Sequence, residues 1–194
     1  MTDLNRLPEG LPVPTDDGAA AHLPGPSLPA LSLEGTDGHR VDLGGLGAGR
    51  TVFYVYPLTG RPGTDLPDGW EVIPGARGCT SEACDFRDHF VDLQAAGADA
   101  VYGLSSQDVA YQTEVVERLG LPFAMLSDEG FQLADALDLP TFVAPGAGRL
   151  YSRLTLIVRA GRIEYVFYPI FPPNTHAQQV LTWLRQHPLD SSDL

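Results

Sequence analysis

A chain of 194 residues with 43% hydrophobic residues can bury one sizeable core, and no long polar linker separates two cores, so a single domain is expected. The formal net charge of -13 works against binding to phosphate backbones or anionic lipid, contacts that depend on clustered Lys and Arg. Met1 to Gly10 lacks a positive head followed by an apolar stretch, and the apolar runs Thr51 to Pro57 and Val166 to Phe171 are far shorter than the ~20 residues of a membrane helix. A soluble, cytoplasmic protein is expected, with no nucleic-acid or membrane partner.

Residues 1–23 are rich in Pro and Gly, which disfavours helix and removes backbone donors, and predict an extended arm. Residues 24–187 form the predicted domain, followed by a polar tail over 188–194. Ala30 to Leu33 and His39 to Leu43, joined by Gly35-Thr-Asp-Gly38, predict a hairpin. Thr51 to Tyr56 is continuous, β-branched and aromatic, the pattern of a central strand buried on both faces. A long loop punctuated by Pro and Gly then runs from Leu58 to Gly78.

Ala83, Phe86, Phe90 and Leu93 recur at helical spacing and predict one helix from Thr80 to Ala96, closed by Gly97. Ala98 to Leu104 predicts a strand, Val109 to Leu119 a helix, Pro122 to Leu126 a short strand and Glu129 to Leu137 a short helix, with a break at Leu139-Pro140. Leu154 to Arg159 and Ile163 to Tyr168 flank Ala160-Gly161 as an antiparallel hairpin. Thr175 to Gln186 predicts the last helix, with Asn174 as its N-cap. This order predicts an α/β fold of the thioredoxin-like kind, a mixed central sheet with helices on both faces and an N-terminal hairpin.

The chemistry is concentrated in Pro74 to Asp88, which carries both cysteines, Cys79 and Cys84. Two cysteines in a chain with its own core do not call for a disulfide framework, and without clustered histidines they fall short of a zinc site. His22, His39, His89, His176 and His187 show no paired metal spacing, so no metal is expected. Cys79 falls at the predicted start of a helix, where free N–H groups and the macrodipole favour a thiolate. Arg77 adds a nearby cation, and both are expected to lower the thiol pKa. The plain alternative is that Cys79 is a small apolar residue, as most free cysteines are; Cys84, beside the Ala83 and Phe86 stripe, has the same alternative. On a regular helix the five-residue interval places the two Cα atoms roughly 8 to 9 Å apart. A disulfide needs less than about 7 Å, so the helix start must unwind before the sulfurs can join.

At these residues the chain resembles the Q-type peroxiredoxins, also called bacterioferritin comigratory proteins. Gly78-Cys-Thr-Ser-Glu-Ala-Cys-Asp-Phe-Arg-Asp88 matches every fixed position of that group's helix start, with looser likeness over residues 24–187. The resemblance implies a thioredoxin fold and a thiol-dependent peroxidase working without metal or organic cofactor. It assigns peroxide attack to Cys79, resolution to Cys84, and thiolate and peroxide polarisation to Arg153, whose plain alternative is an ordinary strand-end arginine. Gly78, Thr80 and Arg77 are the expected substrate-binding neighbours. A peroxide substrate, a thioredoxin-like or small-thiol reductant, and a monomer or weak dimer are expected with it.

The chain departs from the group where Pro and Thr stand seven and three residues before the attacking cysteine; here Val72 and Ala76 occupy those positions. Pro57 looks like that proline, displaced by an insertion over Leu58 to Ala76. Thr59, Thr64, Thr80 and Arg77 are candidates for the missing hydroxyl's role. The insertion, which carries Trp70, either covers a sheet edge or reshapes the substrate entrance. A redox sensor with slow disulfide switching on the same fold is the alternative function. Thiol-disulfide exchange fits less well, because its cysteines usually stand two residues apart.

Overall fold

The computed structural model describes residue 4 and residues 6–189; the start of the arm and most of the polar tail lie outside the described residues. Seven strands make up the central sheet: β1 (Ser32–Gly35), β2 (Arg40–Asp42), β3 (Arg50–Val55), β4 (Ala98–Ser105), β5 (Met125–Ser127), β8 (Leu154–Arg159) and β9 (Arg162–Phe167). Their order across this mixed sheet is β2-β1-β5-β4-β3-β8-β9. A separate two-stranded hairpin comprises β6 (Thr141–Ala144) and β7 (Gly148–Tyr151). The helices are α1 (Cys79–Asp88), α2 (Phe90–Ala95), α3 (Val109–Leu119), α4 (Gln132–Leu137) and α5 (His176–Gln186). Among the described residues, no helix is long and apolar enough to cross a membrane.

The strand Arg50–Val55 is buried at every position, as its unbroken apolar run requires of the sheet centre. It pairs in parallel with β4 and antiparallel with β8, and the parallel run continues from β4 to β5. Two apolar layers cover the faces. One holds Tyr54, Ala83, Phe86, Val115 and Val180 under α1, α3 and α5; the other holds Leu23, Phe53, Leu104, Leu133 and Leu156 on the opposite face. Ala160 and Gly161, with φ of +48 and +69, make the tight turn between β8 and β9. Before the sheet, residues 25–28 run along β9, through bonds such as Leu28 N–H to Gly161 O (2.8 Å) and Ile163 N–H to Pro26 O (2.9 Å).

Several elements depart from the sequence expectation. The helix foreseen from Thr80 to Ala96 is two helices, broken at His89, whose φ of -106 and ψ of 7 are not helical. The His89 ring Nδ1 lies 2.9 Å from the Asp85 carbonyl, which also accepts the His89 N–H, so the turn is closed locally and α2 sets off afresh. Asn174 is not the cap of the last helix. A short 3-10 turn, Pro173–Thr175, precedes it, and the Asp85 carboxylate on α1 accepts the Ala177 N–H (2.7 Å) and Gln178 Nε2 (3.1 Å). A neighbouring helix thus satisfies an orphan amide that a local side chain was expected to cap.

The first strand lies at Ser32–Gly35 rather than Ala30 to Leu33, and the fifth at Met125–Ser127 rather than Pro122 to Leu126. Pro122 has no N–H to donate, and pairing begins only where residue 125 meets Gly103. The fourth helix is shorter than foreseen because Phe131 adopts φ of +54 at its start. The β6–β7 hairpin has no counterpart in the sequence expectation, although Pro145-Gly-Ala-Gly148 between two apolar runs is a turn signal.

His176, at the start of α5, is fully buried, with Nε2 2.8 Å from Thr155 Oγ1 and its ring against Phe86 and Phe167. Burial holds its pKa down at about 4. The unfolded chain, with an ordinary histidine near 6.5, binds the proton first as pH falls. Stability is therefore full above that value and is lost between it and about 4. Thermal unfolding at pH 7.5 and pH 5 should differ by up to about 2 kcal/mol on this account, and His176→Gln should remove that part of the difference.

Candidate active site

The register of the sheet brings the site together. Val55 at the end of β3 faces Leu154 at the start of β8, so Pro57-Leu58 and Arg153 emerge side by side at one end of the sheet. Helix α1 is pressed to that end by Ala83 and Phe86, both fully buried, with Phe86 stacked on Tyr54 at 4.4 Å between ring centroids. Burying a phenyl ring contributes roughly 2 to 3 kcal/mol, enough to fix the helix's placement. Gly78 at the N-cap has φ of +103, a backbone shape that suits glycine, and Cys79 is the first helical residue.

Cys79 Sγ accepts a hydrogen bond from Arg153 Nη2 at 3.2 Å, and its thiol points to the Ala76 carbonyl at 3.6 Å. The Leu58 N–H also reaches the sulfur. Arg153 is itself buried: it pairs with the Glu82 carboxylate through Nη1 and donates to the carbonyls of Gly75 (3.2 Å), Ala76 (3.3 Å) and Arg77 (3.2 Å). These bonds lock the loop before Cys79 to the start of β8. The plain reading of Arg153 as an ordinary strand-end residue does not describe it.

Two sequence expectations about the thiol need correction. Cys79 is only 4% exposed, and burial, the largest influence, pushes its pKa up from the ordinary thiol value. Arg153 pulls it back, the Glu82 carboxylate pushes it up again, and the Leu58 N–H pulls it down. The second correction concerns Arg77, whose buried side chain faces Glu71 of the preceding loop, with Nε 3.9 Å from Oε1. The cation on the sulfur is Arg153. The segment before Cys79 is also more buried than its Gly-rich composition suggested, with Ala76 fully enclosed.

Glu82 is a site residue that local sequence reasoning does not single out. It is fully buried three residues after Cys79, and burial pushes its carboxyl up to about 7 against the pull of Arg153. Its advance signals are an acidic residue in the first turn of a helix, which is commonplace, and its place in the matched Gly78 to Asp88 stretch. Of the proposed substitutes for the missing hydroxyl, Thr59 is engaged with Gln107, its Oγ1 2.9 Å from Oε1, and Thr64 is exposed. Thr80 is buried in the first turn of α1. The intervening loop leaves at Leu58 and returns at Ala76, both against Cys79. In between, Trp70, Leu66 and Ile73 pack on Phe142, Ala144 and Leu150 of the β6–β7 hairpin.

Cys84 is half-buried on the same helix, in a polar groove with Ser81, Asp85, Arg87, Asp88 and Arg118. Burial raises its thiol pKa, while Arg87 opposes and Asp88 adds to the rise. Both cysteines are free thiols, and the helix is continuous from Cys79 to Asp88. The sulfurs are therefore held apart by the geometry that forbids a disulfide on an intact helix.

The redoxin family pattern matches residues 23–181. The chain belongs to the redoxin family. Peroxiredoxin Bcp of Escherichia coli K12 is 30% identical over 166 residues, which cover 84% of this chain and 96% of that protein. Chloroplastic peroxiredoxin Q of Oryza sativa subsp. japonica is 30% identical over 83% of this chain, which spans 66% of the rice protein's length. These relatives place this redoxin among the peroxiredoxins of the Q and Bcp type. In fold, it is similar to peroxidoxin BcpB of Mycobacterium tuberculosis, with TM-score 0.65 and 24% identity over 84% of this chain and 97% of that one. It is likewise similar to a cysteine-to-serine mutant of Xylella fastidiosa PrxQ, with TM-score 0.68 and 21% identity over 86% of this chain and 98% of that one. The central architecture is thus that of thioredoxin-like peroxiredoxins.

The competing influences on Cys79 predict opposite shifts from two substitutions in a Cys84→Ser background. Glu82→Gln removes a charge that opposes ionisation and should move the ultraviolet titration of thiolate absorbance to lower pH. Arg153→Met should move it to higher pH.

Proposed function

We propose that this redoxin is a thiol-dependent peroxidase that reduces hydrogen peroxide or organic hydroperoxides through Cys79. The observation that supports it most directly is the 3.2 Å contact of the Arg153 guanidinium with a sulfur at the opening of a helix that carries a second cysteine five residues on. The Cys79 thiolate attacks one peroxide oxygen, the O–O bond breaks, and the other oxygen leaves as an alcohol or water after taking a proton. Arg153 has donors to hold the thiolate and to stabilise the charge that develops on the departing oxygen. Gly78 and Thr80 flank the sulfur along the chain, whereas Arg77 lies with Glu71.

Cys79 is then a sulfenic acid, and Cys84 condenses with it to give a disulfide and water. Because an intact α1 keeps the two sulfurs apart, the first turn has to open for this step. A dithiol donor of the thioredoxin type, or two small thiols, restores both cysteines with two electrons. Two cysteines in a chain that buries its own core, with no disulfide framework called for, suit a reducing compartment, which supports a cytoplasmic location. One observation favours a slow redox switch as a second reading: the sulfur is almost wholly buried and its pKa raised by that burial.

Peroxide consumption with a dithiol reductant separates the two. Multiple turnovers by the wild-type chain, none by Cys79→Ser, and slower turnover by Cys84→Ser, whose sulfenic acid only the added thiol can reduce, are expected of the enzyme. Stoichiometric oxidation of the wild type over hours would instead establish the switch. Oxidation should also lower hydrogen-exchange protection over residues 79–86, and unchanged protection would mean that the disulfide forms by some other movement.

A further inference from the structure

Residues far from Cys79 in sequence lie against the backbone that leads into it. A methyl group built on Gly78 would run into Pro173 and would lie 2.8 Å from Leu7 Cδ1. Leu7 of the N-terminal arm thus rests on the backbone immediately before the sulfur. One built on Gly60 would meet Leu4 Cδ2 at 2.9 Å, and one on Gly75 would lie 3.7 Å from Pro14. Gly75 is one of the three residues whose carbonyls Arg153 holds. Pro14 also borders the cleft beside Arg153, together with Phe142, Tyr168 and Ile170.

The arm is attached by its other end. Leu23 is fully buried, His22 Nε2 lies 2.9 Å from the Leu137 carbonyl, and Tyr168 Oη donates to Asp17 Oδ1 at 3.0 Å. Between Leu7 and Asp17 there is no helix or regular strand. A segment with few backbone bonds to the body, held at one end and resting on apolar contacts at the other, opens at low free-energy cost.

We propose that residues 7–17 form a strap that governs access to Cys79 and excludes bulky peroxides, with Leu7 and Pro14 as its closing residues. The strap rests on the proposed peroxide chemistry for its purpose but not for its test. Leu7 and Pro14 present only apolar surface to the entrance, so they select by size and add no hydrogen bond to the peroxide. Closed, they admit the smallest hydroperoxides; lifted, they expose Arg153 and Cys79 to an organic hydroperoxide with a large substituent.

The test is alkylation of Cys79 in the full chain carrying Cys84→Ser, using iodoacetamide as a small reagent and a polymer-bearing maleimide as a bulky one. Taking the ratio of the two rates cancels any change in thiolate fraction. With Leu7→Ala and Pro14→Ala combined, the bulky-to-small ratio should rise on the order of tenfold, as expected when the open fraction of a mostly closed site increases. Asp17→Ala, at an exposed position, should raise it less by releasing Tyr168. The same ratio in all three proteins would overturn the strap, whether or not the chain turns over peroxide. If turnover is measurable, the preference for hydrogen peroxide over a bulky aromatic hydroperoxide should narrow in the arm variants, and an unchanged preference would count against selection by size.

Discussion

The buried guanidinium of Arg153 is the constraint on which the site depends. It meets a thiol, a carboxylate and three backbone carbonyls, and it does so with 3% of its surface exposed. Removing such a group would strand a buried carboxylate and leave the loop carbonyls without their donor, a cost of several kcal/mol. The arginine therefore does two things with one side chain: it ties residues 75–77 to the start of β8, and it directs positive charge at the sulfur.

That arrangement also sets two acids in competition for one cation. Cys79 and Glu82 both pair with Arg153, and burial disfavours ionisation of each. A buried carboxyl raised to about 7 changes its charge close to neutral pH, so the field on the sulfur depends on whether Glu82 carries its proton. The reactivity of Cys79 is thus a property of the group of three, with the helix opening as one contributor among several.

The surroundings of the sulfur are assembled from distant parts of the chain. Asp85 ties α1 to α5 through the Ala177 amide, and Tyr54 stacks on Phe86. On the outer side, Leu7 and Pro173 close over Gly78. The long loop before Cys79 has its own small apolar cluster around Trp70, against the β6–β7 hairpin, so its ends can be held at the sulfur while its middle is supported elsewhere. Helix α1 is consequently clamped on several sides.

The strands β3 and β8 and the helix α3 are legible from local pattern, because unbroken apolar runs and capped helical periodicity are determined by near neighbours in sequence. The spacing of Cys79 and Cys84 likewise determines, through helix geometry alone, that the two sulfurs cannot join while α1 is intact. What the sequence could not decide was every quantity that sums over distant groups. Glu82 reads as an ordinary first-turn acid, Arg77 reads as the cation that Arg153 provides, and local reasoning lowers a thiol pKa that burial pushes up. Desolvation sums over all the atoms that exclude water, and the cation that opposes it is Arg153 at the start of β8; Leu7 of the arm, on the other side of Cys79 in the chain, lies against Gly78. Only the folded chain brings them together, so local sequence singled out the sulfur at the helix opening and the tertiary structure set its charged neighbours and its accessibility.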